Sequence, residues 1–224
     1  MKLFKFIVES IRFLLQIELQ KISKRYRFEW IFKGLDYTFQ SNASYAILGH
    51  NGSGKSTLLQ LLSGYLSPSS GKIQFSKADK LLDINEVYKN ISFCSPYMEL
   101  IEELSLEEAI RFHQRFKPLQ QGFSTPEVLD LLSLPKSARH KAVQFFSSGM
   151  KQRLKLALAF LSDSSLLLLD EPTITLDIAG VAWYRDLLHS FAFGKRTVII
   201  ASNVSNDYEG CDAILDLLDY KKNK

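Results

Sequence analysis

The sequence predicts an α/β fold: a parallel-sheet core with an antiparallel β edge and an inserted α-helical subdomain. Three observations predict it. A short apolar run, Tyr45 to Leu48, enters a glycine-rich loop that opens into a helix near Lys55. A second run, Leu166 to Leu169, is wholly apolar and ends in Asp170-Glu171, as a strand buried on both faces does. Between them, residues 96–162 read as successive helices with short connections.

The elements follow in order. Ile17 to Ile22 alternates apolar and polar residues, as a half-buried strand does, and Phe32 to Phe39 is a second such run ended by Gln40-Ser41-Asn42. Tyr45 to Leu48 is a short buried strand. The helix from Lys55 stops at Gly64, with Pro68 close behind. Ser67 to Gly71 is a turn, Lys72 to Phe75 a brief strand, and Asn90 to Cys94 a buried one. Ser105 and Glu108 fit a capping box for a helix that runs to about Phe116, before Pro118. Thr125-Pro126-Glu127 starts another, with proline at its first position. Ser147 to Leu161 carries a long helix with a Leu/Ala face. The α/β pattern then resumes: strand 166–169, helix 178–193, strand 197–201 and a last strand candidate from Ala213 to Leu218.

Composition bounds the class. The chain has 224 residues, 46% hydrophobic and 23% charged, with a net charge of +4. That length suffices for one α/β core or two small lobes. No dense Lys/Arg stripe appears outside the termini, so nucleic acid is not the expected partner. Cys94 and Cys211 have no metal spacing and read as small buried hydrophobes in a reducing compartment. No run of about 18 uncharged apolar residues is present, so no transmembrane span is expected. Residues 1–16 are apolar and weakly basic and form an N-terminal amphipathic extension. Three readings compete for it: a helix on a membrane or partner, a helix packed on the domain itself, or an upstream extension from a misassigned start. The basic tail, residues 221–224, is most simply a solvated terminus.

Gly49-His50-Asn51-Gly52-Ser53-Gly54-Lys55-Ser56 fits the phosphate-loop pattern G-x-x-x-x-G-K-[ST], with a strand before it and Thr57 continuing into the helix. Glycines let successive N–H groups turn inward to form an anion nest, and the helix adds its positive end. Lys55 would reach the β- and γ-phosphates of a nucleotide and Ser56 would hold Mg2+. Asp170 would bind Mg2+ at the strand tip, where α/β sheets bind ligands. Glu171 would orient the attacking water.

Two longer segments carry a family resemblance. Asp170-Glu-Pro-Thr-Ile-Thr-Leu-Asp177 resembles the D-E-P-T-x-x-L-D segment of the ATP-binding cassette family, and Phe146 to Arg153 resembles its L-S-G-G-Q-x-Q-R signature. The three motifs occur in the family's order, and the resemblance covers roughly residues 17–220. It implies a P-loop NTPase core of the RecA-like type, with the helical subdomain at about 96–162. It also implies that ATP and Mg2+ lie between two cassettes paired head to tail, as a homodimer or heterodimer. Ser147, Ser148, Gly149 and Gln152 would then form the signature acting in trans, although Ser147-Ser148 also suits a simple helix cap. Asp177 would sit in the loop crossing between cassettes. Tyr26 falls where the family stacks an aromatic on adenine, with Phe28 and Trp30 as neighbouring competitors.

The chain departs from the pattern at four places. Ser148 stands for glycine and Met150 for glutamine in the signature. Pro96 takes the position of a glutamine after the strand ending near Cys94, and proline offers no side-chain amide. Ser202-Asn203 stands where the family has a histidine on the γ-phosphate; Asn203 can donate a hydrogen bond but not a positive charge. The expected function is the ATP-hydrolysing subunit that powers a separate transmembrane permease. It would turn over slowly, face export, and lie peripherally on the cytoplasmic face of the cell membrane. The acidic segment Glu99 to Glu108 is either a dock for the permease or a solvated face. The alternatives are a soluble cassette ATPase without a transport role, or a regulatory ATP-binding module.

Overall fold

The structure is a computed structural model that describes residues 15–78, 80–120 and 122–221. Along the chain its elements are β1 (Leu15–Tyr26), β2 (Glu29–Phe39), β3 (Ser44–Leu48), α1 (Lys55–Leu62), β4 (Ser70–Lys77), β5 (Lys80–Leu81), α2 (Ile84–Val87), β6 (Ile91–Cys94), α3 (Leu106–Phe116), α4 (Thr125–Leu131), α5 (Ser148–Leu161), β7 (Leu166–Asp170), α6 (Ile178–Phe191), β8 (Thr197–Ala201), α7 (Ser205–Tyr208) and β9 (Ala213–Asp216). They divide into two compact units. The first holds the described residues up to Phe93, Ser164–Glu171 and the described residues from Ala192; the second holds Cys94–Asp163 and Pro172–Phe191.

The first unit contains two sheets. One is antiparallel, in the order β2-β1-β4-β5. β1 buries Leu15, Ile17 and Leu19 on one face, as a two-residue period requires. A register shift between Leu19 and Ile22 marks a bulge, with Lys21 at φ 49°. Gly71 passes so close to this bulge that a Cβ there would lie 2.4 Å from the Lys21 carbonyl oxygen, so only glycine lets the two backbones meet. The other sheet has the order β6-β7-β8-β3-β9. Within it β7 and β9 run parallel to their partners β8 and β3, and β3 runs parallel to β8. β7 and β8 are buried along their whole lengths, which explains their unbroken apolar sequences. α1 buries Leu58, Leu59, Leu61 and Leu62 in the same core as Leu166, Leu168 and Ile199. Each such leucine contributes about 1.5–3 kcal/mol by leaving water.

The second unit is helical. Leu106 and Ile110 of α3, Val128 of α4, and Leu154, Ala157 and Leu161 of α5 share one core, joined by Leu132. Trp183 of α6 packs against it and donates from Nε1 to the Leu131 carbonyl at 2.9 Å. The Ser105–Glu108 capping box is formed in both directions.

Several limits differ from the sequence expectation. β1 begins at Leu15, and Leu15 and Gln16 pair with Lys77 and Ser76, so the last two residues assigned to the N-terminal extension belong to the sheet. Residues 1–14 of that extension, and 222–224 of the basic tail, lie outside the described residues. β1 also runs on to Tyr26, because its pairing with β2 continues through the hairpin to Glu29. The cap of α4 is Ser124, one residue earlier than expected: its N–H donates to Glu127 Oε2 at 3.0 Å, and Pro126 falls within the first turn. The last strand stops at Asp216, whose carboxylate accepts from the Leu218 N–H at 2.9 Å and turns the chain into a short 3-10 helix.

Candidate functional site

The parallel register sets the site in the first unit. β3 runs out at Leu48 into the Gly49–Gly54 loop. β7 and β8 end level, with Asp170 opposite Ala201, so Glu171 and Ser202 leave the sheet side by side. Gly49, Gly52 and Gly54 have φ of +145°, +76° and +104°. At Gly54 a Cβ would stand 2.3 Å from Ile31 Cγ2, so both its backbone and its surroundings demand glycine. The Ser53 N–H donates to the His50 carbonyl at 2.9 Å and closes the loop. His50, Asn51 and Gly52 form an exposed rim; Ser53 and Lys55 form a buried base.

That base is chemically unusual. Lys55 is only 6% exposed, yet its ammonium donates to the Gly49 carbonyl at 2.8 Å and lies 3.7 Å from Glu171 Oε1. The buried Ser53 hydroxyl has no hydrogen-bond partner among the described residues. α1 starts from Gly54 with no side-chain cap and no acidic residue in its first turn, so its positive end is unscreened by its own chain. A buried cation, an orphaned hydroxyl and an open helix end fit a bound phosphate. Ser56 and Thr57, in that first turn, are half-buried.

Asp170 is 1% exposed at the end of β7. Glu171 stands one residue beyond, at φ 42°. Its N–H donates to the Ala201 carbonyl at 2.8 Å, and its carboxylate keeps one side toward Lys55. Ser202 Oγ lies 3.1 Å from Glu171 Oε2 and 2.6 Å from Asp207 Oδ2, so its single proton is shared between two carboxylates and favours the nearer. Ser202 accepts in turn from the Val204 N–H at 3.0 Å. Asn203 points to the loop instead: its Nδ2 donates to Asn51 Oδ1 at 2.9 Å. Tyr26 is 46% exposed at the β1–β2 hairpin, with the Lys24 ammonium 5.2 Å from its ring centroid. Phe28 is 96% exposed at the tip, and Trp30 lies between Arg25 and Lys33.

The signature residues belong to the second unit and open α5. Ser147 caps the helix, accepting from the Met150 N–H at 3.2 Å, which leaves its own O–H for another acceptor. Ser148 is exposed, and a Cβ on Gly149 would stand 3.1 Å from the Thr175 carbonyl. Gln152 is 2% exposed and donates to the Pro172 carbonyl at 2.8 Å; its amide faces the interior of its own unit. Asp177 is exposed, accepts from the Gly180 N–H at 2.7 Å, and has Arg153 3.8 Å away. In the acidic segment, Glu102 pairs with Lys151, Glu107 with Arg111 and Arg139, and Glu108 with Ser105. The Arg139 guanidinium holds the Glu107 carboxyl below its ordinary pKa. These three acids are therefore internal struts.

The sequence marks Ser202 only as the residue beside Asn203 at the family's histidine position; its contact with Glu171, and Asp207 behind it, go unsignalled. Lys155 was likewise missed inside the Leu/Ala face of its helix. Nothing in the local sequence signals its partners.

Comparison with known proteins gives the family. The ABC transporter family profile matches residues 32–174. The ABC transporter ATP-binding protein YybJ of Bacillus subtilis is 32% identical over 207 residues, covering 90% of this chain and 92% of that protein. The bacitracin transport ATP-binding protein BcrA of Bacillus licheniformis is 30% identical over 194 residues, covering 86% of this chain and 63% of that one. ATP-binding cassette sub-family A member 2 of Rattus norvegicus is 32% identical over 172 residues, and there the chain spans only 7% of its relative's length. Among solved structures, an ABC transporter ATP-binding protein from Pyrococcus furiosus has the same fold, with a TM-score of 0.77, 23% identity, and coverage of 92% of this chain and 100% of that one. A dimeric ATP-binding cassette in a post-hydrolysis state with ADP and Pi superposes with a TM-score of 0.74 at 22% identity over 89% of this chain and 93% of that one. With its phosphate loop, acid-tipped strand and signature helix in place, this chain belongs to the ABC transporter ATP-binding family.

Proposed function

We propose that this chain hydrolyses ATP to power a separate membrane permease, as one of two cassettes that pair head to tail. The observation that carries the reading is the buried Lys55 ammonium beside the Glu171 carboxylate at 3.7 Å, at the open end of α1. ATP brings its triphosphate to the loop. The backbone N–H groups of the loop and helix start, apart from the one Ser53 gives to His50, hold the phosphate oxygens with Lys55, which exchanges its carbonyl contact for them. Ser56 and Asp170 are the residues to hold Mg2+. Among the described residues no group of three or more His, Cys, Asp or Glu side chains is able to hold a metal, so the remaining ligands would be phosphate oxygens and water. When bound, Mg2+ neutralises charge on the β- and γ-phosphate oxygens.

Glu171 orients the attacking water and takes up its proton. Ser202 steadies its far oxygen, and Asp207 steadies Ser202. Asn203 lends a neutral donor at the loop rim where a cation would do more, so turnover is slow. Removing one charged donor of this kind costs about 3 kcal/mol, or two orders in rate. From a second cassette, the Ser147 O–H and the Gly149 N–H reach the γ-phosphate at the start of α5, and Asp177 stands at the crossing. Tyr26 stacks on the base. Gln152 works from within, on the chain directly after Glu171.

Among the described residues no helix is long and apolar enough to cross a membrane. The name of the B. licheniformis relative supports transport, and export is the direction the sequence resemblance favours. The helical unit would receive the permease at the cytoplasmic face, with Glu99 and Glu103 outward. The decisive test is Glu171→Gln in single-turnover hydrolysis. ATP affinity should stay within threefold while the rate drops about a thousandfold. A rate that ignores the substitution rejects the assignment.

A further inference from the structure

The chain leaves β6 through a tight turn. The Met98 N–H donates to the Ser95 carbonyl at 3.2 Å, with Pro96 at the second position, where its fixed φ is favourable. Tyr97 and Met98 on this turn are exposed. A charge from another element holds it. Lys155, on the second turn of α5, donates from Nζ to the carbonyls of Pro96 at 3.1 Å, Met98 at 3.3 Å and Ser95 at 3.4 Å. An ammonium carries three protons, so these three oxygens use all of its donors. Burial draws the Lys155 pKa below the ordinary lysine value, and the carbonyl dipoles are what keep a cation there. Lys151, one turn earlier, pairs with Glu102. Between them Gln152 donates to the Pro172 carbonyl, with Cys94 Sγ 3.9 Å away. One helix thus grips the chain just after β6 and just after Glu171.

We propose that Lys155 is a positioning residue for ATP turnover, tying the Ser95–Met98 turn to the helix that begins at the signature. The turn is the direct continuation of β6, and β6 neighbours β7, whose end carries Asp170 and Glu171. Pro96 offers no side-chain amide, and three of the turn's backbone carbonyls are gathered by one ammonium. Methionine at 155 would keep the buried stem and lose all three bonds. The three carbonyls would then turn to water and the turn would open. This inference rests on the ATPase reading above.

Cys94 reports the turn directly. It is 1% exposed and immediately precedes Ser95. The other thiol, Cys211, is removed by Cys211→Ser. In that background Lys155→Met should raise the rate of Cys94 modification by an aromatic disulfide at least tenfold. The same variant should lower kcat for ATP about tenfold with KM within twofold, and Lys155→Arg should restore both to within threefold. Unchanged Cys94 reactivity in a folded Lys155→Met protein, or an unchanged kcat, overturns the proposal. Should the methionine variant not fold, Lys155→Gln, which keeps one donor pair, is read in the same two assays. Single-turnover hydrolysis of Mg-ATP by the unsubstituted protein tests the underlying ATPase reading by itself, while the thiol measurement judges the clasp whichever way that result falls.

Discussion

Replacing Lys55 by methionine isolates the ammonium from everything else in the loop. The unbranched stem stays buried, the glycines keep their positive φ, and the fold loses only a charge. Two contacts go with it: the 2.8 Å bond to the Gly49 carbonyl and the 3.7 Å approach to Glu171. Glu171 remains a quarter exposed and stays hydrated, so the cost to folding should be under about 1 kcal/mol. The cost to nucleotide is larger. A hydrogen bond from a charged donor is worth about 1.5–3 kcal/mol, and losing one such bond, with its Coulombic share toward a second oxygen, removes about 3 kcal/mol of binding. That is roughly a hundredfold in Kd. Titration calorimetry with Mg-ATP, paired with a thermal melt of each protein, reads both quantities. A Kd within threefold of the parent refutes the assignment of Lys55 to the phosphates. A drop in Tm of more than about 10 °C with little change in Kd would make the residue a folding strut instead.

Asn203→His should raise kcat about tenfold at pH 7 in steady-state hydrolysis, because an imidazole beside the phosphates can take up a proton where an amide cannot; an unchanged or lower rate counts against the slow-turnover reading. His113 gives a pH signature. Burial pushes its pKa down to about 4, and its Nε2–H donates to Ser162 Oγ at 2.8 Å, because the Ser162 proton is already given to the Leu158 carbonyl. The unfolded chain takes up this proton near pH 6.5, so between pH 6.5 and 4 it binds more protons than the folded one. Stability should therefore fall with pH across that window, by up to about 3 kcal/mol. Urea melts at pH 7 and pH 4.5 should show the loss, and His113→Gln should flatten it.

Much of the site was legible because its chemistry is local in the chain. Gly49 to Ser56 announces itself through the residues a phosphate nest requires, and Asp170-Glu171 stands out as two acids after four leucines. Strand and helix order followed from the same contrasts of period and apolar run length. What escaped depends on pairing across the fold. Ser202 and Asn203 are neighbours with different partners, one on Glu171 and one on Asn51, and only the level ends of β7 and β8 decide which goes where. The acidic stretch from Glu99 read equally as a docking face or a solvated one, yet Lys151 and Arg139 arrive from elsewhere in the chain to meet Glu102 and Glu107, with Arg111 joining Glu107 from the next turn of its own helix. Lys155 was hidden for the opposite reason. A cation in an apolar helix face finds three main-chain oxygens, and carbonyls leave no trace in a sequence.

The left-handed backbone of Glu171 carries a price of its own. A long side chain at φ 42° costs of order 1 kcal/mol relative to glycine or asparagine. If Glu171 handles the attacking water as proposed, residues that would relax that position cannot replace it, so the most comfortable occupants of residue 171 would make a sturdier but idle protein. Thermal selection alone, applied to random variants at this codon, should enrich Gly and Asn over Glu, a direct reading of how far this domain trades robustness for work.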